Sequence, residues 1–238
     1  KISTGPGETS QLDLAVNIPR GESNLAPITA EEITARLGDV NLKIATDLPM
    51  LRSQLEESRV GRTFVNVTHD QEEALSLSDR VAILNHGKLI QEGAPAHLYE
   101  QPRTRFVADF LGKSNFLQGE VRESVPGGFV IGAGATRIVQ AVAENHRPAH
   151  GSRVLLSLRP EKITLMSEQD EADNIVEGRI AAWSYLGAGF GLNVETSDFG
   201  LLRVALPTWR TPIAPRDGLA VRLGWSAAAS VPVMEDAA

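Results

Sequence analysis

The sequence predicts an α/β segment followed by an all-β barrel, and two changes of pattern along the chain carry this prediction. Residues 42–112 alternate helical apolar spacing with short β-rich runs, which is typical of an α/β domain. From Ser114 to Val233, short β-type runs follow one another with Gly, Pro and Asn between them, which is typical of a barrel. We therefore predict two domains, residues 1–112 and 113–238, and we find no convincing internal repeat.

The composition excludes several classes of site and partner. The 238 residues include no Cys, so disulfides and thiolate metal sites are excluded. No apolar run reaches about 18 residues, the length that a bilayer-spanning helix needs. Acidic residues outnumber basic ones by 30 to 23, and the resulting net charge of −7 argues against a nucleic-acid partner.

The clearest elements of the first domain surround a histidine. RTFVNVT, at residues 62–68, is β-rich and predicts a strand that ends at His69. Residues 70–79 predict a short helix with an acidic first turn, which suits the positive end of the helix dipole. Residues 80–93 predict a hairpin around a turn at NHGK, in which His86 faces solvent. APAHLYEQP and RTRFVADFLG then predict two short helices.

The barrel is predicted from a series of short runs. In chain order these are NFLQGEV, GFVIG, TRIVQAV, SRVLLSLRP, KITLM, VEGRIAAWSYLG, FGLNVET, GLLRVALP and LAVRLGW. Residues 167–174, SEQDEADN, are acidic and predict an exposed loop between two halves. Trp183, Trp209 and Trp225 lie in or beside these runs, so we expect them to pack in the barrel rather than to form a ligand cage.

VTHDQEEALSLSDRVAILNHGKLIQEG resembles the end of the ATPase domain of ABC transporters, the switch-histidine segment, nearly position by position. The continuation through APAHLYEQPRTRFVADFLGKSNFLQGEV, and SLRPEKI at residues 157–163, are similar to importer ATPases that carry an appended OB-like β-barrel, the TOBE domain. FVADFLGKSNFLQG is most similar to the spermidine/putrescine branch. The resemblance implies a P-loop ABC ATPase domain, degenerate or truncated in its N-terminal part, followed by a TOBE barrel.

The resemblance implies a catalytic role for His69. An imidazole at the end of a strand can donate a hydrogen bond to a γ-phosphate oxygen and so sense whether that phosphate is present. In the family, the equivalent histidine orients the γ-phosphate and the attacking water. The alternative is a histidine that lies at a helix start without a ligand.

The phosphate-binding loop is only weakly represented. The pattern G-x-x-x-x-G-K-[ST] supplies backbone N–H groups, a Lys and a Mg²⁺ ligand. Its candidate here, ISTGPGETS, offers Gly5, Gly7 and Thr9, but Ile2 replaces the first Gly and Glu8 replaces the Lys. A carboxylate at that position repels the β- and γ-phosphates. A plain Gly/Pro turn therefore remains open as the alternative.

The carboxylates with which the family binds Mg²⁺ and activates water are missing from their aligned positions. LGDVNLK, at residues 37–43, is similar to the loop that follows them, with Asn41 where Asp is usual, so Asn41 is a nucleotide-site candidate by resemblance only. Thr34 and Ala35 stand where the Mg²⁺-holding Asp and the catalytic Glu would fall, which leaves no general base. The residues before this loop contain no recognisable glutamine loop and no Ser-Gly-Gly-Gln signature.

Three interpretations of function stay open. The first is the ATP-binding subunit, or a shortened copy, of a polyamine-type ABC importer, for which the resemblance implies ATP and Mg²⁺ as cofactors. The damaged motifs predict a weak or inactive ATPase and leave open whether the chain is an enzyme. The second is a regulatory or small-ligand-binding barrel without ATPase activity, since KSNFLQG is weakly similar to an oxyanion-binding turn of related barrels. The third is a remnant that folds without activity.

The resemblance also implies partners and a location. Family members work with integral-membrane permease subunits on the cytoplasmic face of the cell membrane, and they pair through their barrels. We therefore expect permease partners, a homodimer through the barrel, and a peripheral position on the inner face of the membrane. No metal site built from protein ligands alone is expected.

Overall fold

The computed structural model describes residues 14–17, 67–143, 146–210 and 214–236. By their internal contacts the residues divide into two compact units, Lys1–Pro102 and Arg103–Ala238. This division falls earlier than the predicted boundary between residues 112 and 113, which stays a prediction. In the described ranges, no helix is both long and apolar enough to cross a membrane.

The described part of the first unit is a small antiparallel sheet with two short helices. Its strands are β1 (Leu14–Asn17), β2 (Val67–Thr68), β3 (Val81–Asn85) and β4 (Lys88–Gly93), in the order β2-β1-β3-β4. The helices are α1 (Gln71–Leu77) and α2 (Pro95–Glu100). These elements confirm the predicted strand end at His69, the helix that follows it and the hairpin.

The β3–β4 hairpin closes through a turn that requires left-handed backbone. His86 and Gly87 have φ values of +48° and +73°, as in the type I′ turn whose twist matches that of the flanking strands. His86 is exposed, as predicted. At the other end of the hairpin, the Arg80 guanidinium and the Glu92 carboxylate form an ion pair at 2.8 Å.

The second unit begins with a short capped helix, α3 (Arg105–Phe110). The Thr104 hydroxyl accepts a hydrogen bond from the Val107 N–H at 3.2 Å, which satisfies one of the free donors at the helix start. Val107 and Leu111 are buried, and the helix itself is where the sequence predicts it. By contacts this helix belongs to the barrel unit.

Two five-stranded antiparallel sheets make up the rest of the second unit. The first has the order β14-β8-β5-β6-β7, and the second has the order β9-β13-β10-β11-β12. The strands are β5 (Asn115–Val125), β6 (Gly128–Ala133), β7 (Thr136–Ala141), β8 (Arg153–Leu158), β9 (Thr164–Met166), β10 (Asn174–Tyr185), β11 (Gly189–Thr196), β12 (Gly200–Pro207), β13 (Ala220–Trp225) and β14 (Ser230–Val233). Side chains from both sheets share one apolar core, and the predicted all-β barrel is confirmed.

The two sheets reveal an internal repeat that the sequence reading missed. Strands β5 to β9 correspond in order to β10 to β14, and each sheet contains four strands of one repeat and the last strand of the other. Both long strands, β5 and β10, begin with Asn and carry a register shift at the equivalent place, between Val121 and Glu123 and between Ile180 and Ala182. Such shifts bend a strand and re-aim its side chains.

Asn115 and Asn174, the first residues of β5 and β10, each form hydrogen bonds with an edge strand of the opposite sheet. The Asn115 amide donates to the Arg203 carbonyl at 2.8 Å and accepts from the Arg203 N–H at 2.7 Å. The Asn174 amide makes the same pair of bonds with Val139, at 3.0 and 2.7 Å. Edge strands β12 and β7 therefore have one residue each whose outward backbone groups are already bonded, so a further strand cannot pair at that residue.

The prediction that all three tryptophans pack in the barrel is wrong for two of them. Trp225 is buried, with 2% of its surface exposed, whereas Trp183 is 43% and Trp209 78% exposed. Trp183 follows the register shift in β10, where the strand runs on past the core, and Trp209 lies in the turn after β12. The predicted loop is confirmed at residues 167–173, but Asn174 is buried because it begins β10.

Candidate functional site

The predicted switch histidine lies at the junction between β2 and α1. β2 ends at Thr68, His69 follows, and α1 begins at Gln71. His69 is exposed, so its imidazole is accessible to a ligand. An imidazole held at a fixed backbone position in this way can donate a hydrogen bond to a ligand.

The junction is fixed by Asp70. Its carboxylate oxygen Oδ1 accepts from the N–H groups of Glu72 and Glu73 at 2.9 and 3.1 Å, which caps α1. Its own N–H donates to the Thr68 hydroxyl at 3.0 Å. The residues on both sides of His69 are thus joined by side-chain bonds, and the backbone of the histidine is held between them.

The other predicted nucleotide contacts cannot be placed beside His69. Gly5, Gly7, Thr9 and Asn41 lie outside the described residues, as do Glu8, Thr34 and Ala35. Within the described ranges, no cluster of three or more His, Asp or Glu side chains could hold a metal ion.

The described residues near His69 do not by themselves fit MgATP. The residues that follow it, Asp70, Glu72 and Glu73, are acidic, and carboxylates repel a polyphosphate. Asp70 is already committed to capping α1. One imidazole can contact a phosphate, but a cradle of N–H groups, a Lys and a carboxylate for Mg²⁺ are needed as well. No hydrolysis step follows from the described residues.

The turn that suggested an oxyanion site in the barrel is already engaged within the protein. Ser114 and Asn115 are buried. The Ser114 hydroxyl accepts from the Arg159 guanidinium at 2.9 Å, and the Asn115 amide is bonded to Arg203. Both side chains hold the structure together and point to no ligand.

Arg159, the arginine of SLRPEKI, links the barrel to α3. The chain forms a 3₁₀ turn at Pro160–Lys162, directly after this arginine. The buried guanidinium nitrogen Nη1 also lies 2.8 Å from the Ala108 carbonyl and 2.7 Å from the Gly112 carbonyl. Charged hydrogen bonds of this kind are stronger than neutral ones. Arg159 therefore fixes the end of α3 and the segment that enters β5, a role that the motif alone did not indicate.

An open groove of about 1260 Å³ runs along the second sheet. Its walls include Glu177 and Glu195, together with Arg179 and Arg222. Arg179 donates to the Gly218 carbonyl at 3.2 Å and Arg222 to the Ser167 carbonyl at 2.7 Å, so both guanidinium groups are partly occupied.

Comparison with known proteins gives one matching domain family and a consistent set of relatives. The TOBE domain family matches residues 156–232. The spermidine/putrescine import ATP-binding protein PotA of Rubrobacter xylanophilus is 39% identical over 193 residues, which cover 80% of this chain and 50% of that protein. PotA of Nostoc sp. is 39% identical over 191 residues, covering 74% and 49%. PotA 1 of Pseudomonas aeruginosa is 36% identical over 200 residues, covering 82% and 50%.

The chain spans about half the length of these relatives. Among solved structures, the cytoplasmic molybdate-binding protein ModG is similar, with a TM-score of 0.43 and 14% identity. That match covers 50% of this chain and 94% of ModG.

Proposed function

We propose that the chain acts in the ATP-binding subunit of a polyamine-type ABC importer. The proposal starts from the family assignment, the C-terminal part of an ABC ATPase domain followed by a TOBE domain. The observation that carries the proposal is His69, exposed at the end of β2 and held by the Asp70 cap. ATP and Mg²⁺ would be the cofactors, and ATP hydrolysis would drive solute uptake through permease subunits. The subunit would lie on the cytoplasmic face of the membrane.

This chain alone is expected to be a weak or inactive ATPase. A working site needs a Lys for the phosphates and a carboxylate general base for the water. The sequence offers Glu8 and Ala35 at the aligned positions. Loss of a general base alone slows such reactions by about a hundred- to ten-thousandfold.

The test compares phosphate release by the chain with MgATP, before and after His69→Ala. We expect release at the background level and no change with the variant. His86→Ala is the matched control, because His86 is also an exposed histidine of the first unit but lies in the hairpin turn. Phosphate release above background that is abolished by His69→Ala but not by His86→Ala would show an active site. That result would contradict the expected lack of ATPase activity.

The importer role is tested separately, by uptake of labelled spermidine in cells that lack the gene for the chain. We expect uptake to fall and to return when the gene is restored. Unchanged uptake of spermidine and putrescine in the deletion strain would contradict a role in polyamine import.

We also infer that two copies pair through their barrels. In the described residues, each edge strand of the barrel sheets that carries an asparagine contact is already protected from strand addition. Strand addition at β7 and β12 is therefore disfavoured at the residues that these asparagines contact.

A further inference from the structure

The far end of the β10–β11 hairpin is exposed, apolar and uncharged. This segment, residues 181–191 and here called the arm, reads AAWSYLGAGFG, without an ionisable acid or base apart from Tyr185. Residues 181–188 are all exposed, and Tyr185 and Leu186 are 63% and 70% exposed. The Phe190 ring lies 5.3 Å from the Tyr185 ring and 6.0 Å from that of Trp183, between centroids. The arm therefore presents a cluster of aromatic rings to water.

The turn after β12 extends this surface. The Thr208 N–H and hydroxyl both donate to the Ala188 carbonyl, at 3.1 and 3.3 Å, which holds the turn against the arm. The next residue is Trp209, which is largely exposed. Residues 204–209, VALPTW, are also uncharged. Arm and turn thus form one apolar surface.

The internal repeat shows that the fold does not require this surface. Counted from the initial asparagine, Ala182 and Trp183 of β10 correspond to Glu123 and Ser124 of β5. Both strands carry the same register shift, yet Glu123 is exposed and forms an ion pair with Arg137 at 3.0 Å. The same backbone therefore carries a charged, solvated surface in one repeat and an aromatic one in the other.

The exposed area approaches what a stable dimer needs. At about 200 Å² for each large side chain, the exposed fractions of Trp183, Tyr185, Leu186 and Trp209 leave roughly 500 Å² in water. A standard interface buries about 800 Å² on each partner. These four side chains alone supply more than half of that area, and the Trp and Tyr side chains among them are of the types that concentrate at the centres of interfaces.

We infer that the arm together with Trp209 is the surface through which two copies of this chain associate. The inference rests on the proposed pairing of barrels and names the contact. A two-fold interface brings the same patch of both copies together, which an uncharged apolar patch tolerates. The arm therefore lets two identical copies meet without bringing like charges together.

The test measures self-association of the full chain by sedimentation velocity, without nucleotide, from low to high micromolar concentration. The variant A182E/W183S gives the arm the two residues that the other repeat carries at the same positions. We expect the wild type to dimerise and the variant to raise the dimer dissociation constant roughly thirtyfold or more, the effect of losing a tryptophan hot spot. Glu123→Ala, at the equivalent site of β5, should leave the constant unchanged.

A second measurement follows the tryptophans directly. Trp183 and Trp209 are exposed while Trp225 is buried, so dimerisation through the arm should protect two of the three from quenching by acrylamide as concentration rises. Circular dichroism checks that the variants fold. A wild type that stays monomeric, or a dimer that A182E/W183S does not weaken, overturns the inference. So does a monomer that binds lipid vesicles through the arm. None of these results depends on nucleotide, so they leave the tests of ATPase activity and spermidine uptake unaffected.

Discussion

Replacing Asn115 or Asn174 by Ala should destabilise the barrel by the same amount, because the two side chains make equivalent contacts. Each is almost fully buried and makes two hydrogen bonds to one residue of an edge strand, at 2.7–3.0 Å. Each such bond contributes a net of about 1 kcal/mol to stability. Either substitution should therefore lower the free energy of unfolding by about 2 kcal/mol.

Water limits this loss, because Arg203 is exposed and Val139 is half-buried. Their freed backbone groups can be partly solvated, which keeps the cost below the full penalty of two buried unsatisfied groups. The double variant should lose about 4 kcal/mol, since sites that share no partner are usually additive.

The assay is equilibrium unfolding in urea, followed by circular dichroism. Asn115→Asp is the informative control. It keeps the acceptor for the Arg203 N–H but turns a carboxylate toward the Arg203 carbonyl, so at neutral pH it should be at least as destabilising as Asn115→Ala. A loss below about 0.5 kcal/mol for either alanine variant, the range of ordinary surface substitutions, would refute the reasoning. So would a large loss at one site and none at the other.

Two further predictions concern the barrel unit. A fragment that begins at Arg103 should unfold at a higher temperature than one that begins at Lys113, because only the longer one keeps the Ala108 and Gly112 carbonyls that Arg159 contacts; equal melting temperatures would support the boundary at residue 112 instead. The Ser167 N–H, which donates to the Asp170 carboxylate at 2.6 Å, lowers the pKa of Asp170, with smaller help from the Ser167 side chain and Arg222. Because this pKa is lower in the folded state, the stabilisation is present above the ordinary Asp pKa of about 4 and is lost as pH falls through the folded value. An NMR titration of Asp170 that gives an ordinary pKa would contradict this.

Local patterns in the sequence were enough to predict the elements around His69. The strand end, the acidic helix start and the NHGK turn each depend on residues within a few positions of one another, and each was found where expected. The strand series of the barrel was predicted for the same reason. The predicted phosphate loop and Asn41 lie outside the described residues, so the nucleotide site stays a prediction beyond His69.

The internal repeat escaped sequence reading because its signal is sparse. NFLQGEV and NIVEGRI share an Asn and a Gly at matching positions, while their apolar residues are merely similar. Each sheet takes one edge strand from the other repeat, since β9 pairs with β13 and β14 pairs with β8. These pairings join distant segments of the chain, and no local pattern specifies them. The exposure of Trp183 was missed for a related reason, since periodicity shows that a residue lies in a strand but not where the strand leaves the core.

A comparison of the two repeats distinguishes residues that the barrel fold requires from residues that make other contacts. Both repeats keep the initial asparagine and the register shift, so these features serve the barrel itself. Arg159 directly follows β8, whereas the equivalent position after β13 is Ser226. That difference is explained inside the chain, because only Arg159 has the carbonyls of α3 and its following segment to bind. In the part of the chain that the structure describes, the change from Ser124 to Trp183 has no comparable explanation: the ring lies 6.0 Å from that of Phe190, and 43% of the residue's surface stays in water. The proposed contact between the arms of two copies would cover this exposed surface.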